Sequence, residues 1–293
     1  MKNLSDLNAA SKDDFVAALA NIFEYSPWIA EQAAAARPYP GVRALFAAMK
    51  DVVERAPSGQ LMTLIKGHPD LANKTQRAAG LTAESSHEQN SLGLDRLSDA
   101  EFEAFERVNN AYREKFGIPY IVCVRRHTKD SVLRDFERRL PNDAATEIKA
   151  SVAEICRIAA LRLDQLVEAD DKLPVHGRLS THVLDNHNGK PAAGIAVELV
   201  ELAALGESRV ITRTVTNSDG RTDAPLIGGR PVPIGRYELR FAVGKYFAAR
   251  GVPMSDPPFL DEIPLRFSVS EPEGHLHVPL LVTPWSYATY RGS

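Results

Sequence analysis

The spacing of apolar residues changes once along this 293-residue chain, and that change limits the possible folds more than any other feature. Up to about residue 168, apolar side chains recur every three or four residues, which is typical of amphipathic helices. The stretch ADDKLPVHGR at 169–178 is charged and has no apolar period, so we place a linker at 170–178. Short alternating runs follow and predict strands. We expect a multidomain α and β protein, with an all-α domain at 1–169 and an all-β sandwich at 179–293.

The first part contains clear signals for the starts of helices. Ser11 precedes two acidic residues, and Ser98 lies three residues before Glu101, which is the spacing of a capping box. The apolar run at 116–124 is compatible with buried extended chain or with the entry to a helix. Helices are predicted at about 12–22, 27–37, 42–57, 61–67, 85–94, 99–112, 131–140 and 144–167.

Three positions in this helical part carry side chains that can do chemistry. His68 precedes a proline, and because such a residue avoids the α region, we expect it at a helix end with its imidazole displayed rather than packed. Ser85 and Glu88 have capping-box spacing, so the simplest interpretation of both is structural. Arg162 lies in or beside the apolar stripe of the last helix. A buried guanidinium is seldom unpaired, so we expect a carboxylate partner or an anionic ligand.

The second part predicts an antiparallel sandwich of short strands separated by turn residues. The turn Asn217-Ser-Asp-Gly-Arg221 places Arg221 at the start of the segment that follows it. His275 and His277 share one face of the last long strand, because alternate residues of a strand point the same way. The predicted strands are 179–184, 196–202, 210–216, 235–243, 263–269 and 275–282.

Composition excludes several classes of partner. A net charge of -3 gives no basic field for nucleic acid, and no apolar segment is long enough to span a membrane. The N-terminus does not have the pattern of a signal peptide, so we expect a cytoplasmic protein. In that compartment Cys123 and Cys156 are expected to be reduced thiols that pack in a core.

Four segments of the second part resemble the transthyretin-like 5-hydroxyisourate hydrolases. They are LSTHVLD at 179–185, TNSDGR at 216–221, HLHVPLL at 275–281 and YATYRGS at 287–293. The resemblance implies a transthyretin-like sandwich that assembles as a tetramer, with sites where dimers meet. It also implies a catalytic set and a pocket lined by the tail. The catalytic set is His182, Arg221 and His277, and the tail residues are Tyr287, Tyr290, Arg291, Gly292 and Ser293.

Residues 5–168 resemble a second family, the 2-oxo-4-hydroxy-4-carboxy-5-ureidoimidazoline (OHCU) decarboxylases. The resemblance rests on FEYSPW at 23–28, GHPDL at 67–71, Asn109 with Tyr112, FGIP at 116–119 and Arg162-Leu163. It implies that His68 is the central catalytic residue and that this part makes dimer contacts. The residues implied to hold the substrate are Ser85, Glu88, Gln89, Ile118 and Arg162.

The chemistry of each step suits these residue types. Opening a ring with water needs a base and a cation that stabilises the oxyanion, which His182 or His277 and Arg221 can supply. The spacing does not say which histidine is the base, and we assign His275 a structural role. A zinc site is the rival interpretation, since His-x-His with a distant histidine can bind a metal. We consider it weaker, because no carboxylate or cysteine stands at ligand spacing.

Decarboxylation needs a group that exchanges a proton beside the leaving carboxylate, and His68 fits that role, with Arg162 available to pair an anion. The sequence contains no motif for a metal, pyridoxal or thiamine, so we expect no cofactor.

Together the two resemblances point to the bifunctional allantoin synthases of urate catabolism. The second domain is expected to hydrolyse 5-hydroxyisourate to OHCU, and the first to decarboxylate OHCU stereoselectively to (S)-allantoin. The alternative is a non-catalytic module that binds a small ligand in a transthyretin-like sandwich and uses the helical domain for assembly.

Overall fold

The computed structural model describes residues 2–71, 82–205 and 207–292. The chain forms two compact units, each with its own hydrophobic core. One unit runs to Arg125 and includes Ser131–Val175, and the other comprises Arg126–Asp130 and the chain from His176 onward. The first is mainly helical and the second mainly strands, which confirms the predicted fold class. In the part of the chain that the structure describes, no helix is long and apolar enough to cross a membrane.

The first unit is built mainly from helices. Between α7 and a 3₁₀ turn at Val124–Arg126 the chain is not helical, so buried non-helical chain was the correct alternative for the apolar run. A second 3₁₀ turn lies at Ala34–Ala36, and the two-residue strands β1 (Lys2–Asn3) and β2 (Val167–Glu168) pair in parallel. The helices are α1 (Leu4–Ala9), α2 (Lys12–Leu19), α3 (Pro27–Ala33), α4 (Val42–Glu54), α5 (Ser58–Lys66), α6 (Ala83–Ser91), α7 (Asp99–Phe116), α8 (Lys129–Arg139) and α9 (Ala144–Leu166).

Side-chain caps define several of these helix starts. Ser11 caps α2, and Ser98 forms the predicted capping box with Glu101 at α7. At α6 the cap is Thr82, whose Oγ1 accepts a hydrogen bond of 3.2 Å from the backbone N–H of Ser85. The predicted capping box of Ser85 and Glu88 is therefore wrong. Because the helix begins one turn earlier, both side chains are free to turn into the core.

Helix α4 is held by a buried apolar face and by a side-chain cap from the chain that follows α9. Val42, Leu45, Met49 and Val53 recur at helical spacing, and all four are buried. Gly41 has no side chain with which to cap this helix. Asp171 does so instead, since its carboxylate accepts hydrogen bonds of 2.8 and 3.0 Å from the first two backbone N–H groups. Such a cap stabilises a helix by about 1 kcal/mol.

The second unit folds as two sheets around one core, which confirms the predicted sandwich. One sheet has the order β11-β10-β3-β4, with β7 also paired to β3, and the other has the order β6-β5-β8-β9. A short helix, α10 (Val243–Ala248), follows β8 and was not predicted. The strands are β3 (Gly177–Asp185), β4 (Lys190–Pro191), β5 (Ala196–Leu202), β6 (Arg209–Val215), β7 (Ile227–Arg230), β8 (Gly235–Ala242), β9 (Glu262–Val269), β10 (His275–Val282) and β11 (Tyr287–Thr289).

The pairing of β3 with β10 determines which side chains face each other. These strands run parallel, with Ser180 opposite His277 and His182 opposite Pro279. The prediction of a purely antiparallel sandwich is therefore wrong at this pair. A tight hairpin forces antiparallel pairing only on strands that are neighbours in sequence. Most of the unit lies between β3 and β10 in the chain, so these two strands can pair in parallel. The parallel register brings the histidines of both strands to one face of the sheet.

Candidate active sites

A small cavity in the helical unit collects most of the side chains that the sequence singled out there. His68 lies just after the end of α5, and Arg162 comes from α9. Ser85, Glu88 and Gln89 lie on one face of α6, because residues three and four apart share a helix face. The lining residues are His68, Pro69, Leu71, Ser85, Glu88, Gln89, Tyr120, Ile121, Val122, Val124, Ile158 and Arg162.

His68 is buried rather than displayed, so that prediction is wrong. Its side chain is only 7% exposed, and its Nδ1 lies 2.9 Å from the carbonyl oxygen of Leu64 in the last turn of α5. The proline after it does end the helix, but the imidazole turns back toward the cavity. The bond to a carbonyl requires a proton on Nδ1, which leaves Nε2 as the atom available for chemistry. Burial lowers the pKa of His68 and favours the neutral ring.

Arg162 has the carboxylate partner that its position predicts. Its Nε and Nη2 donate to the two oxygens of Glu88 at 2.8 and 2.9 Å, and its Nη1 donates to Glu24 at 2.7 Å. Nη1 also donates to the backbone carbonyl of Asn21, and Nη2 to the hydroxyl of Ser85. A guanidinium has five N–H groups, and here all five are engaged. Arg162 therefore orders the neighbouring acids and leaves no donor free for a substrate carboxylate.

Glu24 is a member of this cluster that the sequence analysis missed. It is 2% exposed, and its Oε1 accepts hydrogen bonds of 2.6 Å from Thr82 and 3.0 Å from Ser85. Burial by itself raises the pKa of Glu24, but the charge of Arg162 and the hydrogen bond from Thr82 outweigh it, so the pKa is lowered. The signal was present in the FEYSPW segment, where a carboxylate stands among apolar residues.

The loop after His68 is held by side chains from α6 and α7. Arg113 pairs with Asp70 through its Nε, at 2.9 Å to Oδ2, and Gln89 donates to the backbone carbonyl of Asp70 at 3.3 Å. Asn109 donates to the carbonyl of Leu71 at 2.7 Å. Asn109 therefore has a structural role, since it fixes the loop that directly follows His68.

Ile118 lies in the core of the helical unit and is not among the residues that line the cavity. The cavity wall is formed slightly later in this segment, by Tyr120, Ile121 and Val122. Arg139, which is fully buried and paired with Glu147, donates to the carbonyl of Ile121 at 2.6 Å. This buried ion pair holds the wall in position.

In the second unit, two strands and one turn bring the three catalytic candidates together. The rings of His182 on β3 and His277 on β10 lie with their centroids 6.4 Å apart. The backbones of His182 and Arg221 pair in an isolated antiparallel β-bridge. Next to it, the backbone N–H of Val183 donates to the carbonyl of Gly220 at 2.8 Å. Gly220 has a φ of +71°, and a Cβ there would stand 2.3 Å from a backbone oxygen. Only glycine fits this turn and lets Arg221 approach the histidines.

The electrostatics of this site favour neutral histidines. Burial and the charge of Arg221 lower the pKa of His182, against a hydrogen bond with the backbone of Asp219. Burial and Arg221 likewise lower the pKa of His277. A neutral imidazole beside a permanent cation has the properties of a general base next to an oxyanion binder.

The C-terminal tail reaches His277 through Gly292. Strand β11 runs back antiparallel along β10, and beyond it the backbone N–H of Gly292 donates to the carbonyl of His277 at 2.9 Å. Tyr287, Tyr290 and Arg291 are exposed and line a groove of about 500 Å³ between β9 and β10, whose lining does not include His182, Arg221 or His277. Ser293 lies outside the described residues.

His275, to which we gave a structural role, contacts the site through a residue that the sequence analysis missed. The hydroxyl of Ser180 lies 3.0 Å from Nε2 of His275 and 2.9 Å from Nδ1 of His277. Ser180 stands two residues before His182, so the even spacing on a strand was a signal that could have identified it. Across the described ranges, no group of three or more His, Cys, Asp or Glu side chains is arranged to hold a metal ion.

Comparison with known proteins identifies both units. Residues 8–164 match the family model for OHCU decarboxylase, and residues 179–292 match the HIUase/Transthyretin family. A 5-hydroxyisourate hydrolase of Deinococcus radiodurans is 56% identical over 119 residues, which cover 40% of this chain and 98% of that protein. A 2-oxo-4-hydroxy-4-carboxy-5-ureidoimidazoline decarboxylase of Haloferax volcanii is 39% identical over 160 residues, which cover 55% of this chain and 93% of that protein.

Among solved structures, a match extends along the whole length of both chains. It is a crystal structure of (S)-allantoin synthase, with 34% identity and a TM-score of 0.52. The chain therefore belongs to the OHCU decarboxylase family over residues 8–164 and to the HIUase/Transthyretin family over residues 179–292.

Proposed function

We propose that this chain catalyses two consecutive steps of urate catabolism. The second unit hydrolyses 5-hydroxyisourate to OHCU, and the first decarboxylates OHCU to (S)-allantoin. Relatives of each unit are named for one of these activities, and the full-length match is an (S)-allantoin synthase. The observation that carries the proposal is that each unit brings a histidine of lowered pKa close to an arginine. These relatives and polar groups argue against the alternative of a non-catalytic ligand-binding module.

In the hydrolase site, a histidine takes a proton from water while the water oxygen attacks the ring carbonyl. The candidates are His182 and His277, and Arg221 stabilises the oxyanion that forms. The carbon–nitrogen bond then breaks, and the nitrogen takes up a proton. The exposed tail of a single chain supports the proposal that the pocket is completed in an oligomer, for which we propose the family's tetramer. Tyr287, Tyr290, Arg291, Gly292 and Ser293 would then line the pocket.

In the decarboxylase site, the bond between the ring carbon and the carboxylate breaks, and its electron pair spreads into the ring before a proton is added. Nε2 of His68 exchanges that proton. Glu88, Gln89 and Ser85 bind the substrate's polar groups. Arg162 is better suited to holding Glu88 and Glu24 in place than to binding the substrate directly, because all its donors are engaged.

We further propose the domain bounds 1–169 and 179–293 with a linker at 170–178, dimer contacts by the helical domain, and a cytoplasmic location. Neither step as written requires a metal or an organic cofactor.

The direct test generates 5-hydroxyisourate with uricase and follows its absorbance together with the circular dichroism of allantoin. We expect both intermediates to decay faster than in buffer and the product to be the (S) enantiomer. Decay at the buffer rate with racemic product would contradict the proposal.

Two substitutions assign the steps. His68→Ala should let OHCU accumulate while its formation stays fast, and His277→Ala should slow the first step. His87→Ala is the matched control, because this exposed histidine lies next to Glu88 on α6 but is not among the residues lining the cavity. If either main substitution affected the other step, the partition between the units would be wrong.

A further inference from the structure

Ser180 lies between two histidines that point from the same face of β10. Its hydroxyl is within hydrogen-bond distance of His275 Nε2, at 3.0 Å, and of His277 Nδ1, at 2.9 Å. Ser180 is 7% exposed, and it stands directly opposite His277 in the register of β3 and β10. The strand pairing therefore fixes the position of the Ser180 hydroxyl relative to His277.

A serine hydroxyl has one proton and two lone pairs, so it can donate to at most one of these two nitrogens. If it accepts from both, Nδ1 of His277 is protonated. If it donates to one and accepts from the other, two arrangements are possible. In the first arrangement, His277 Nδ1–H donates to Ser180, and Ser180 donates to His275 Nε2. In the second, His275 Nε2–H donates to Ser180, and Ser180 donates to His277 Nδ1. A neutral His277 in the second arrangement carries its proton on Nε2, which is then not basic.

The two arrangements differ when His277 gains a proton. A protonated imidazole donates from both nitrogens, so its Nδ1–H needs an acceptor. The first arrangement already provides one and needs no reorganisation, and the neighbouring His275 accepts the serine proton throughout. The second arrangement would have to reverse both hydrogen bonds during the reaction. Only the first suits a base that cycles between neutral and charged forms.

We propose that Ser180 and His275 are positioning residues that keep the Nδ1 of His277 protonated, so that its Nε2 is the base that takes the proton from water. The inference rests on the proposed hydrolase function, and it concerns His277 as the base. His182 has a different environment, since it bonds to the backbone of Asp219. That bond does not involve the Ser180 hydroxyl, so Ser180→Ala tests His277 and not His182.

Kinetics of hydrolysis by the full-length protein provide the first test. Ser180→Ala removes both hydrogen bonds. We expect kcat to fall on the order of 10- to 100-fold, because the variant should lose part of the rate contribution of the general base. KM should be nearly unchanged. Ser180→Thr keeps the hydroxyl and should restore most of kcat. His275→Ala should have a smaller effect, because water can replace this exposed acceptor. The controls are Ser208→Ala and His187→Ala, which change an exposed serine and an exposed histidine of the same unit.

The tautomer itself provides the second test, through the ¹⁵N chemical shifts of the histidine rings in labelled protein. In the wild type we expect a protonated Nδ1 and an unprotonated Nε2 at His277. In Ser180→Ala we expect a mixture of tautomers. A structural role for Ser180 would lower stability without changing this ratio.

The outcomes separate this inference from the proposed function. Hydrolysis by the wild type, with unchanged kcat in both Ser180→Ala and His275→Ala, would overturn the inference and leave the function intact. So would an unprotonated Nδ1 at His277 in the wild type. Absence of hydrolysis by the wild type would contradict the function itself, whatever tautomer the spectra show. If Ser180→Ala does not fold, the exposed His275→Ala and the wild-type spectra still decide the question.

Discussion

Single residues in the proposed decarboxylase site act as a group. Arg162 lies between the carboxylates of Glu24 and Glu88, and all three are buried. Breaking a buried ion pair by removing one partner leaves an uncompensated charge, which is strongly destabilising. The cluster therefore has to be complete for α6 and α9 to hold their positions around His68.

Glu24 provides the sharpest test of this group. Glu24→Gln keeps the shape of the side chain but removes its charge, and a hydrogen bond to a charged group contributes about 1.5–3 kcal/mol. We expect kcat/KM for decarboxylation to fall on the order of tenfold or more and the unfolding temperature of the helical unit to drop. Glu31→Gln on the exposed side of α3 is the control. Unchanged decarboxylation in Glu24→Gln would show that the charge of Glu24 does not contribute to the site.

The pH dependence of hydrolysis is also set at single residues. Burial lowers the pKa of His277, and the charged or titratable groups around it, Arg221, His182, His275 and Arg178, lower it further. A histidine base works only when neutral, so activity is present above this pKa and is lost as the pH falls through it. We therefore expect the acid limb of kcat/KM below the ordinary histidine value of about 6.5.

The sign of this effect can be checked through Arg221. Arg221→Gln removes a positive charge that lowers the pKa of both histidines. The pKa values of His182 and His277, followed by NMR titration of their ring protons, should rise in this variant. A fall in either value would mean that the electrostatic account of the site is wrong.

Among the elements, the sheet carries the proposed hydrolase site, and the C-terminal tail packs along it. The hydroxyl of Thr289 donates to the carbonyl of Pro279 at 2.7 Å, and the backbone N–H of Gly292 continues this contact along β10 to His277. A Cβ on Gly292 would lie 2.8 Å from the imidazole Cδ2 of His277. A side chain at this position would therefore have to displace either the tail or the ring of His277.

Gly292→Ala should therefore impair hydrolysis and leave decarboxylation unchanged. The added methyl group must displace either the tail or the catalytic ring, and a displacement of about 1 Å can reduce the rate on the order of 100-fold. Gly59→Ala is a suitable control, because a Cβ there meets no atom within 4 Å. Separate assays with 5-hydroxyisourate and with OHCU measure the two effects. Equal loss in both assays would point to general misfolding.

At the scale of the whole molecule, each site is built from the side chains of its own unit. Each unit also has a separate hydrophobic core. Tethering the two keeps unstable intermediates close to the next enzyme, which raises their effective concentration. The reactions themselves do not require the two sites to be on one chain.

Two inactive chains should consequently complement each other. We expect a mixture of His68→Ala and His277→Ala proteins to convert 5-hydroxyisourate to (S)-allantoin, because OHCU released by the first can enter the second. The enantiomer is measured by circular dichroism, and each variant alone is the control. A mixture that yields only racemic allantoin would show that OHCU does not pass between separate molecules before it decays.

Local sequence patterns determined much of this protein. Helical periods, the caps at Ser11 and Ser98, and the turn before Arg221 act over a few residues, so the order of elements could be predicted. His68, His182 and His277 could also be proposed as site residues, because histidines at these spacings match known families. The burial of His68 and the parallel pairing of β3 with β10 were not predicted, since neither depends on neighbours in sequence.

Tertiary structure alone decided which side chains work together. Glu24 meets Arg162 across 138 residues, and Ser180 meets His277 across 97. Such contacts depend on which helices pack and on the register of two distant strands, and no period within a segment encodes either. Patterns along the chain were thus enough to predict the order of the elements and the two families, and to propose the central histidines. The packed fold determined the burial and the hydrogen-bond partners of these histidines, because long-range contacts set both.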